Sequence, residues 1–270
     1  MPQPVSPFSL EGRDIVVLGG ASGIGAATAR LAAGSGAQVV VADSDLAGAE
    51  AVAAGVRGDG GRLEAREVDI RSGASVEGLF GDLEADGWRV RGVVATPGVN
   101  VRKRLADTTG AEFDRVVSLN LKGCFHALRH GGAALVRAGG GSIVLLSSIR
   151  SQVVEPGQGV YAATKAGIVQ LARTAAAELA AGGVRVNALA PGVVETPLTA
   201  PIESRPDWKA AYTGKTLLGR WAAPEEIAAP IVFLLSEAAS YITGSVLFAD
   251  AGWTAADGRF DPFGPAPGSR

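Results

Sequence analysis

Short runs of apolar, often β-branched residues alternate along the chain with longer alanine-rich segments. DIVVLG (14–19), AQVVVAD (37–43), RLEAREVDI (62–70), RGVVATP (91–97), GSIVLLSS (141–148), GVRVNALAP (183–191) and SVLFAD (245–250) read as seven strands. Between them GIGAATARLAAGSG (23–36), DLAGAEAVAAGVRG (45–58) and SVEGLFGDLEAD (75–86) read as helices, and longer helices are predicted around 111–137 and 158–181. The strands are apolar nearly throughout rather than alternating, as burial on both faces requires. Strand and helix in regular succession predict an α/β domain: a doubly wound parallel sheet of about seven strands with helices on both faces. No internal repeat and no domain boundary is visible, so residues 1–270 are expected to form a single domain, with Pro- and Gly-rich arms at 1–12 and 255–270.

Composition narrows the function without naming it. With 47% hydrophobic and 19% charged residues the chain has the make-up of a soluble globular protein. A net charge of −2 gives no reason to expect nucleic acid or an anionic membrane surface as a partner. Cys124 is the only cysteine, which excludes an internal disulfide. It shares one predicted helix with the only histidines, His126 and His130, and no metal site is expected there. The start MPQPVSPFSLEGRD lacks a signal pattern and no apolar run is long enough to span a bilayer, so a cytoplasmic protein is expected.

Leu18-Gly19-Gly20-Ala21-Ser22-Gly23-Ile24-Gly25 falls between the first strand and the first helix. Glycines there permit a tight turn, let backbone approach a pyrophosphate and aim N–H groups of a helix start at it. The turn is therefore expected to hold a dinucleotide through Gly19, Ser22, Gly23, Ile24 and Gly25, within a Rossmann-like fold. Asp43 ends the second strand, where an acid accepts hydrogen bonds from the adenosine ribose. The competing reading, a cap for the next helix, is met equally well by Ser44 or Asp45. A 2′-phosphate would need basic residues that Ser22 and Ser44 do not supply, so NAD is the expected cofactor rather than NADP.

The segment YAATK (161–165) sets a tyrosine four residues before a lysine. Positions i and i+4 share a helix face, so either the polar side of an amphipathic helix carries both groups by chance or they form an acid–base pair. A free phenol, with a pKa of about 10, is a poor base at neutral pH, and an ammonium held close favours its ionised form.

Taken in order, GASGIG, Asp69, Asn120 in VSLNLKG, Ser148, YAATK, ALAPGVVETPL, GRWAAPEEIA and SYITGSVLFADAG resemble the short-chain dehydrogenase/reductase family from about residue 10 to residue 253. The resemblance implies a catalytic group of Asn120, Ser148, Tyr161 and Lys165, with Ser148 preferred to Ser147 because it lies 13 residues before the tyrosine. It implies that Tyr161 exchanges a proton with the substrate hydroxyl, that Lys165 also grips the nicotinamide ribose, and that Ser148 steadies the substrate oxygen. Asn120 is implied to hold a water in a proton relay. The resemblance puts Asp69 and Ile70 against the adenine and Val194 and Thr196 against the nicotinamide carboxamide, with Gly98, Pro191 and Gly192 also expected to bind the cofactor. A homotetramer is the assembly the resemblance implies.

Three departures from the family pattern stand out. Leu18 replaces a threonine before the first glycine, Ala95-Thr96-Pro97-Gly98 replaces Asn-Asn-Ala-Gly, and Asp250-Ala251-Gly252 replaces Asp-Gly-Gly. Pro97 lacks an N–H and has a fixed φ, which bears on local geometry and cofactor affinity.

The substrate is less legible. Residues 197–221 occupy the place of a substrate lid, and Ile202, Trp208, Tyr212, Leu217 and Leu218 either line an apolar pocket or pack the lid shut. Asn100, Arg150 and Gln158, with Ser148 and Tyr161, are the expected substrate contacts. Arg150 is either a clamp for a carboxylate or a surface residue against a neighbouring subunit. Taken together, the residues predict an NAD-dependent oxidoreductase that interconverts a secondary alcohol and a ketone. An NADP-preferring ketone or 3-oxoacyl-type reductase of the same fold, and a non-catalytic nucleotide-binding regulator, are the alternatives.

Overall fold

The structure is a computed structural model, and it describes residues 6–57 and 63–256. The arm at 255–270, apart from its first two residues, and the first five residues of the other arm lie outside the described residues, as do residues 58–62.

Seven strands form one parallel sheet: β1 (Asp14–Leu18), β2 (Gln38–Asp43), β3 (Leu63–Glu67), β4 (Val90–Ala95), β5 (Gly141–Leu146), β6 (Val184–Pro191) and β7 (Val246–Ala249), in the order β3-β2-β1-β4-β5-β6-β7. The helices are α1 (Gly23–Gly34), α2 (Leu46–Arg57), α3 (Gly73–Ala85), α4 (Gly110–Val117), α5 (Gly123–His126), α6 (Gly132–Arg137), α7 (Gly159–Leu179), α8 (Ala200–Glu203), α9 (Pro206–Thr213) and α10 (Pro224–Leu235). β2 and β6 end where predicted, and the other five strands end one to three residues earlier, because the residues after them turn away to build loops at the carboxyl edge.

Alternate side chains of each central strand enter different cores. Val16, Leu18, Val93, Ile143, Leu145 and Val186 pack with Phe80, Leu83, Leu135 and Ile168 on one face. On the other, Ile15, Val17, Val41, Val94 and Val144 meet the alanines of α1 and Ile227, Ile231 and Leu235 of α10. Each such side chain taken fully from water contributes roughly 1.5–3 kcal/mol, so both faces of the sheet are stabilised. β3 departs from the apolar rule: its LEARE alternates because it is an edge strand, paired only with β2.

The helix predicted over 111–137 is not one regular helix. It is interrupted by π-turns at Ser118–Lys122 and Ala127–Gly131, each an extra residue in the hydrogen-bond ladder that re-aims the side chains near it. The first turn contains Asn120.

β1 and β4 are neighbours in the sheet, yet the chain visits β2 and β3 between them. That reversal opens a crevice at the carboxyl ends of β1 and β4, where doubly wound sheets bind their ligands.

Candidate active site

The glycine turn after β1 is shaped by contacts that exclude side chains. A Cβ on Gly25 would lie 2.0 Å from the Gly19 carbonyl oxygen, and one on Gly19 would lie 2.6 Å from Thr96 Oγ1 and 2.7 Å from Pro97 Cγ. Gly19 and Gly23 adopt φ of 82° and 51°, a region that favours glycine. Ser22 stands at the N-cap of α1 without a side-chain bond to the helix, and the first turn has no acid. The N–H groups there therefore face outward with the positive end of the helix dipole.

Thr96, in the second departure of the sequence, bonds to the backbone of Leu18, the first. Its N–H donates to the Leu18 carbonyl at 3.0 Å, and its hydroxyl lies 2.9 Å from the Gly19 carbonyl oxygen and 3.1 Å from that of Leu18. These bonds tie the loop after β4 to the glycine turn. Pro97 has no N–H to offer but packs its ring against Gly19.

At the far end of the crevice Asp43 accepts the Ala21 N–H on Oδ2 at 3.0 Å and the Asp45 N–H on Oδ1 at 3.1 Å. The cap of α2 is Asp45, whose Oδ1 accepts the Gly48 N–H at 3.0 Å. Asp43 is accordingly not the cap; it ties the glycine turn to β2 and keeps lone pairs open to the crevice. Asp69 is held by Arg71, with Nε 2.9 Å from Oδ1 and Nη2 2.9 Å from Oδ2. That fork lowers the Asp69 carboxyl below its ordinary range. Arg71, two positions after Asp69, lines the same cavity as Asp43 and is a basic residue that Ser22 and Ser44 gave no sign of.

At the other end, Lys165 is nearly fully buried, donates from Nζ to the Leu146 carbonyl at 2.7 Å, and lies 5.5 Å from the centre of the Tyr161 ring. Helix α7 provides this pairing, since the two residues are one turn apart on the same face. Ser147 donates its hydroxyl to the Lys165 carbonyl at 2.9 Å. Ser148 differs: its Oγ accepts the Arg150 N–H at 3.1 Å and retains its own hydrogen to donate.

Asn120 is buried behind this group. Its Oδ1 accepts the Val99 N–H at 2.8 Å, and its Nδ2 lies 2.9 Å from the Val99 carbonyl and 3.2 Å from Thr164 Oγ1. The side chain fixes the loop after β4 against α7.

One cavity of about 590 Å³ joins the two ends. Gly19, Ser22, Gly23, Ile24, Gly25, Asp43, Asp69, Ile70, Gly98, Pro191, Gly192, Val194 and Thr196 line it, together with Ser148, Tyr161 and Lys165. Arg71, Thr96 and Val99 line it as well. Asn100, Arg150 and Gln158 are not in that lining; they meet one another beside it, around Glu155 and Tyr212. Arg150 is buried and paired with Glu155, which rules out the surface position the sequence left open. Within the lid, Ile202 packs with Val193, Trp221 and Tyr212, whereas Leu217 and Leu218 are exposed.

An elongated cavity with an anion-ready turn in the middle, an acid at one end and a tyrosine–lysine pair at the other fits a dinucleotide, and defines a dinucleotide-binding domain of the doubly wound class. The chain matches, over residues 19–254, the family model described as enoyl-(acyl carrier protein) reductase, and it belongs to the short-chain dehydrogenase/reductase family of oxidoreductases. It is 42% identical over 248 residues to the cis-4-hydroxycyclohexanecarboxylate dehydrogenase of Sinomonas cyclohexanicum, covering 90% of this chain and 97% of that one. It is 37% identical to the galactitol 2-dehydrogenase (L-tagatose-forming) of Cereibacter sphaeroides, covering 92% and 97%. Among solved structures, the gluconate 5-dehydrogenase of Burkholderia cenocepacia J2315 in complex with NADP and tartrate superposes with a TM-score of 0.90 at 28% identity, covering 93% of this chain and 99% of that one.

No described helix is long and apolar enough to cross a membrane, and no group of three or more metal-ligating side chains occurs among the described residues.

Proposed function

We propose that the protein is an NAD(H)-dependent oxidoreductase that interconverts a secondary alcohol and a ketone, with Tyr161 as the proton-transferring group. The observation that carries this reading is the single cavity running from Asp43 to the buried Lys165 beside Tyr161. Both relatives named above are dehydrogenases of secondary alcohols, which supports the reaction class.

The nicotinamide cofactor, when bound, would accept or return the hydride. The remaining work falls to the chain's own residues. Oxidation needs the alcohol proton removed, and Tyr161 Oη takes it, with the Lys165 ammonium held 5.5 Å from the ring centre. Ser148 donates its hydroxyl hydrogen to the same substrate oxygen and stabilises the charge that develops there. Asn120 keeps the loop of Val99 in register, so that Gly98 stays close to Lys165, whose Nζ would lie 3.5 Å from a Cβ at that position.

NAD is favoured over NADP because the Asp43 carboxylate would face a 2′-phosphate of like sign. A specific observation supports the second reading: Arg71 lines the same end of the cavity, and the neighbour from Burkholderia cenocepacia holds NADP. Arg71 already gives both arms of its fork to Asp69, however, which leaves Asp43 as the dominant charge. We further propose a homotetramer in the cytoplasm. Exposed Phe113 on α4 and Phe125 on α5 support burial of this face against a second copy.

The experiment is a screen of secondary alcohols with NAD and with NADP, following the absorbance of the reduced cofactor. Turnover with NAD is expected; turnover with neither cofactor would refute the assignment. Light scattering tests the assembly, with a mass near the 27.2 kDa of one chain refuting it.

A further inference from the structure

Beside the catalytic end, where the loop after β4, the segment after β5 and the lid meet, a ring of polar side chains surrounds Glu155. The Arg150 guanidinium donates to its Oε2, as does Gln158 Nε2 at 2.8 Å, and the Tyr212 hydroxyl lies 2.6 Å from Oε1. Asn100 Nδ2 in turn donates to Gln158 Oε1 at 2.7 Å. Tyr212 belongs to α9 of the lid, so the ring clasps the lid to the body of the protein.

The ring is unbalanced in charge. It contains two guanidiniums, Arg150 and Arg102, but one carboxylate. Arg150 is buried, directly paired with Glu155 and laid 5.3 Å over the Trp253 ring. Arg102 has no such match. Its Nη1 is 3.9 Å from Glu155 Oε1 and 3.3 Å from Tyr212 Oη, and the second arm of its fork makes no recorded bond among the described residues. Asn100 Oδ1 is buried and lacks a donor. A half-buried cation in surplus is a costly arrangement unless an anion completes it, whereas Asn100 Oδ1 calls for a donor and not for an anion.

The ring also lies close to the chemistry. Gln158 is the N-cap of α7, one turn before Tyr161, which is about 5 Å along the helix. Arg150 gives its N–H to Ser148, and Asn100 follows the cavity-lining Val99.

We propose that Arg102, with Arg150 across Glu155 from it, recognises a carboxylate carried by the substrate at a distance from the alcohol carbon, so that the preferred substrates are hydroxy acids. In the free protein Glu155 stands in for that group: it satisfies Arg150 and Tyr212 but reaches Arg102 poorly. A substrate carboxylate fills the open arm of Arg102, which a neutral amide of the same shape cannot do with charge. The proposal rests on the alcohol–ketone reading above.

The test uses the full chain saturated with NADH and isothermal titration calorimetry with two unreactive probes, cyclohexanecarboxylate and cyclohexanecarboxamide. The carboxylate is expected to bind about tenfold or more tightly than the amide, as a charge-assisted fork allows. Arg102→Gln should erase the difference, and Arg102→Lys, which keeps the charge but loses the fork, should restore part of it. Equal affinities in the unmodified protein, or a preference that survives Arg102→Gln, would overturn the proposal. Because the readout is heat and not turnover, it is separable from the reaction itself: brisk oxidation of neutral alcohols without carboxylate preference would leave the reaction class standing and remove this inference.

Discussion

Asn120 and Val99 are joined twice, the Val99 N–H to Asn120 Oδ1 at 2.8 Å and the Asn120 amide to the Val99 carbonyl at 2.9 Å. The side chain thus behaves as a strand edge would, supplying one donor and one acceptor to an otherwise unpaired segment. Asn120→Leu leaves two backbone groups unmatched, at roughly 1–3 kcal/mol each. Urea unfolding should show a loss of about 2 kcal/mol or more; a role confined to a proton relay would leave stability unchanged and reduce only turnover.

Tyr161→Phe removes the hydroxyl and keeps the ring. Turnover should fall by about 10²–10⁴-fold, the usual contribution of a positioned acid or base, while NADH affinity stays within about threefold. Lys165→Ala should lower both, since the ammonium reaches the cavity as well as the ring. Steady-state kinetics with a fluorescence titration of NADH separate the two effects, and a near-normal rate in Tyr161→Phe would remove the tyrosine from the mechanism.

Cofactor choice tests the acid at the end of β2. NAD should be preferred by about two orders of magnitude in kcat/KM, since like charges near 4 Å at a partly screened site cost several kcal/mol. Asp43→Ala with Ser44→Arg should narrow or reverse the preference. Equal efficiency of the unmodified enzyme with both cofactors would reduce Asp43 to its two bonds with Ala21 and Asp45.

Glu226 supplies a pH dependence of known sign. The Arg220 fork, at 2.6 Å on each oxygen, together with the Ala223 N–H, lowers its carboxyl to about 2. A depressed value means that the stabilisation is present above the ordinary carboxyl range and is lost as pH falls toward about 2. Melting temperatures of the unmodified protein and Glu226→Gln should therefore differ at pH 7 and converge in acid; a gap that widens in acid would contradict the pairing.

Cys124 is fully enclosed, and burial raises its thiol to about 11. At pH 8 it stays protonated and out of reach, so iodoacetamide should modify it only after unfolding in urea. Rapid alkylation of the native protein would mean that α5 opens.

Much of this was legible in advance. The apolar runs located all seven strands, and the glycine turn, Asp43, Ser148, Tyr161 and Lys165 all reached a single cavity because local spacing places them at strand and helix ends. What escaped notice depends on contacts between distant segments. Nothing near Glu155 in the sequence announces Tyr212, which meets it only when the lid folds over. Thr96 looked like a departure until its hydroxyl was seen beside Gly19, and the π-turn at Asn120 has no periodic signature in an apolar helix.

The order of the strands carries a kinetic consequence. No two neighbours are joined by a hairpin, and Asp14 of β1 must wait for Val90 of β4 while β2 and β3 are laid on its other edge. Loop closure has to precede the contacts that reward it, so a sheet of this order is expected to fold slowly. The ligand crevice lies on that long-range seam, between the ends of β1 and β4. A cleft built from so distant a pairing is expected to complete late in folding, and adding NADH should then slow unfolding of the finished protein far more than it speeds refolding.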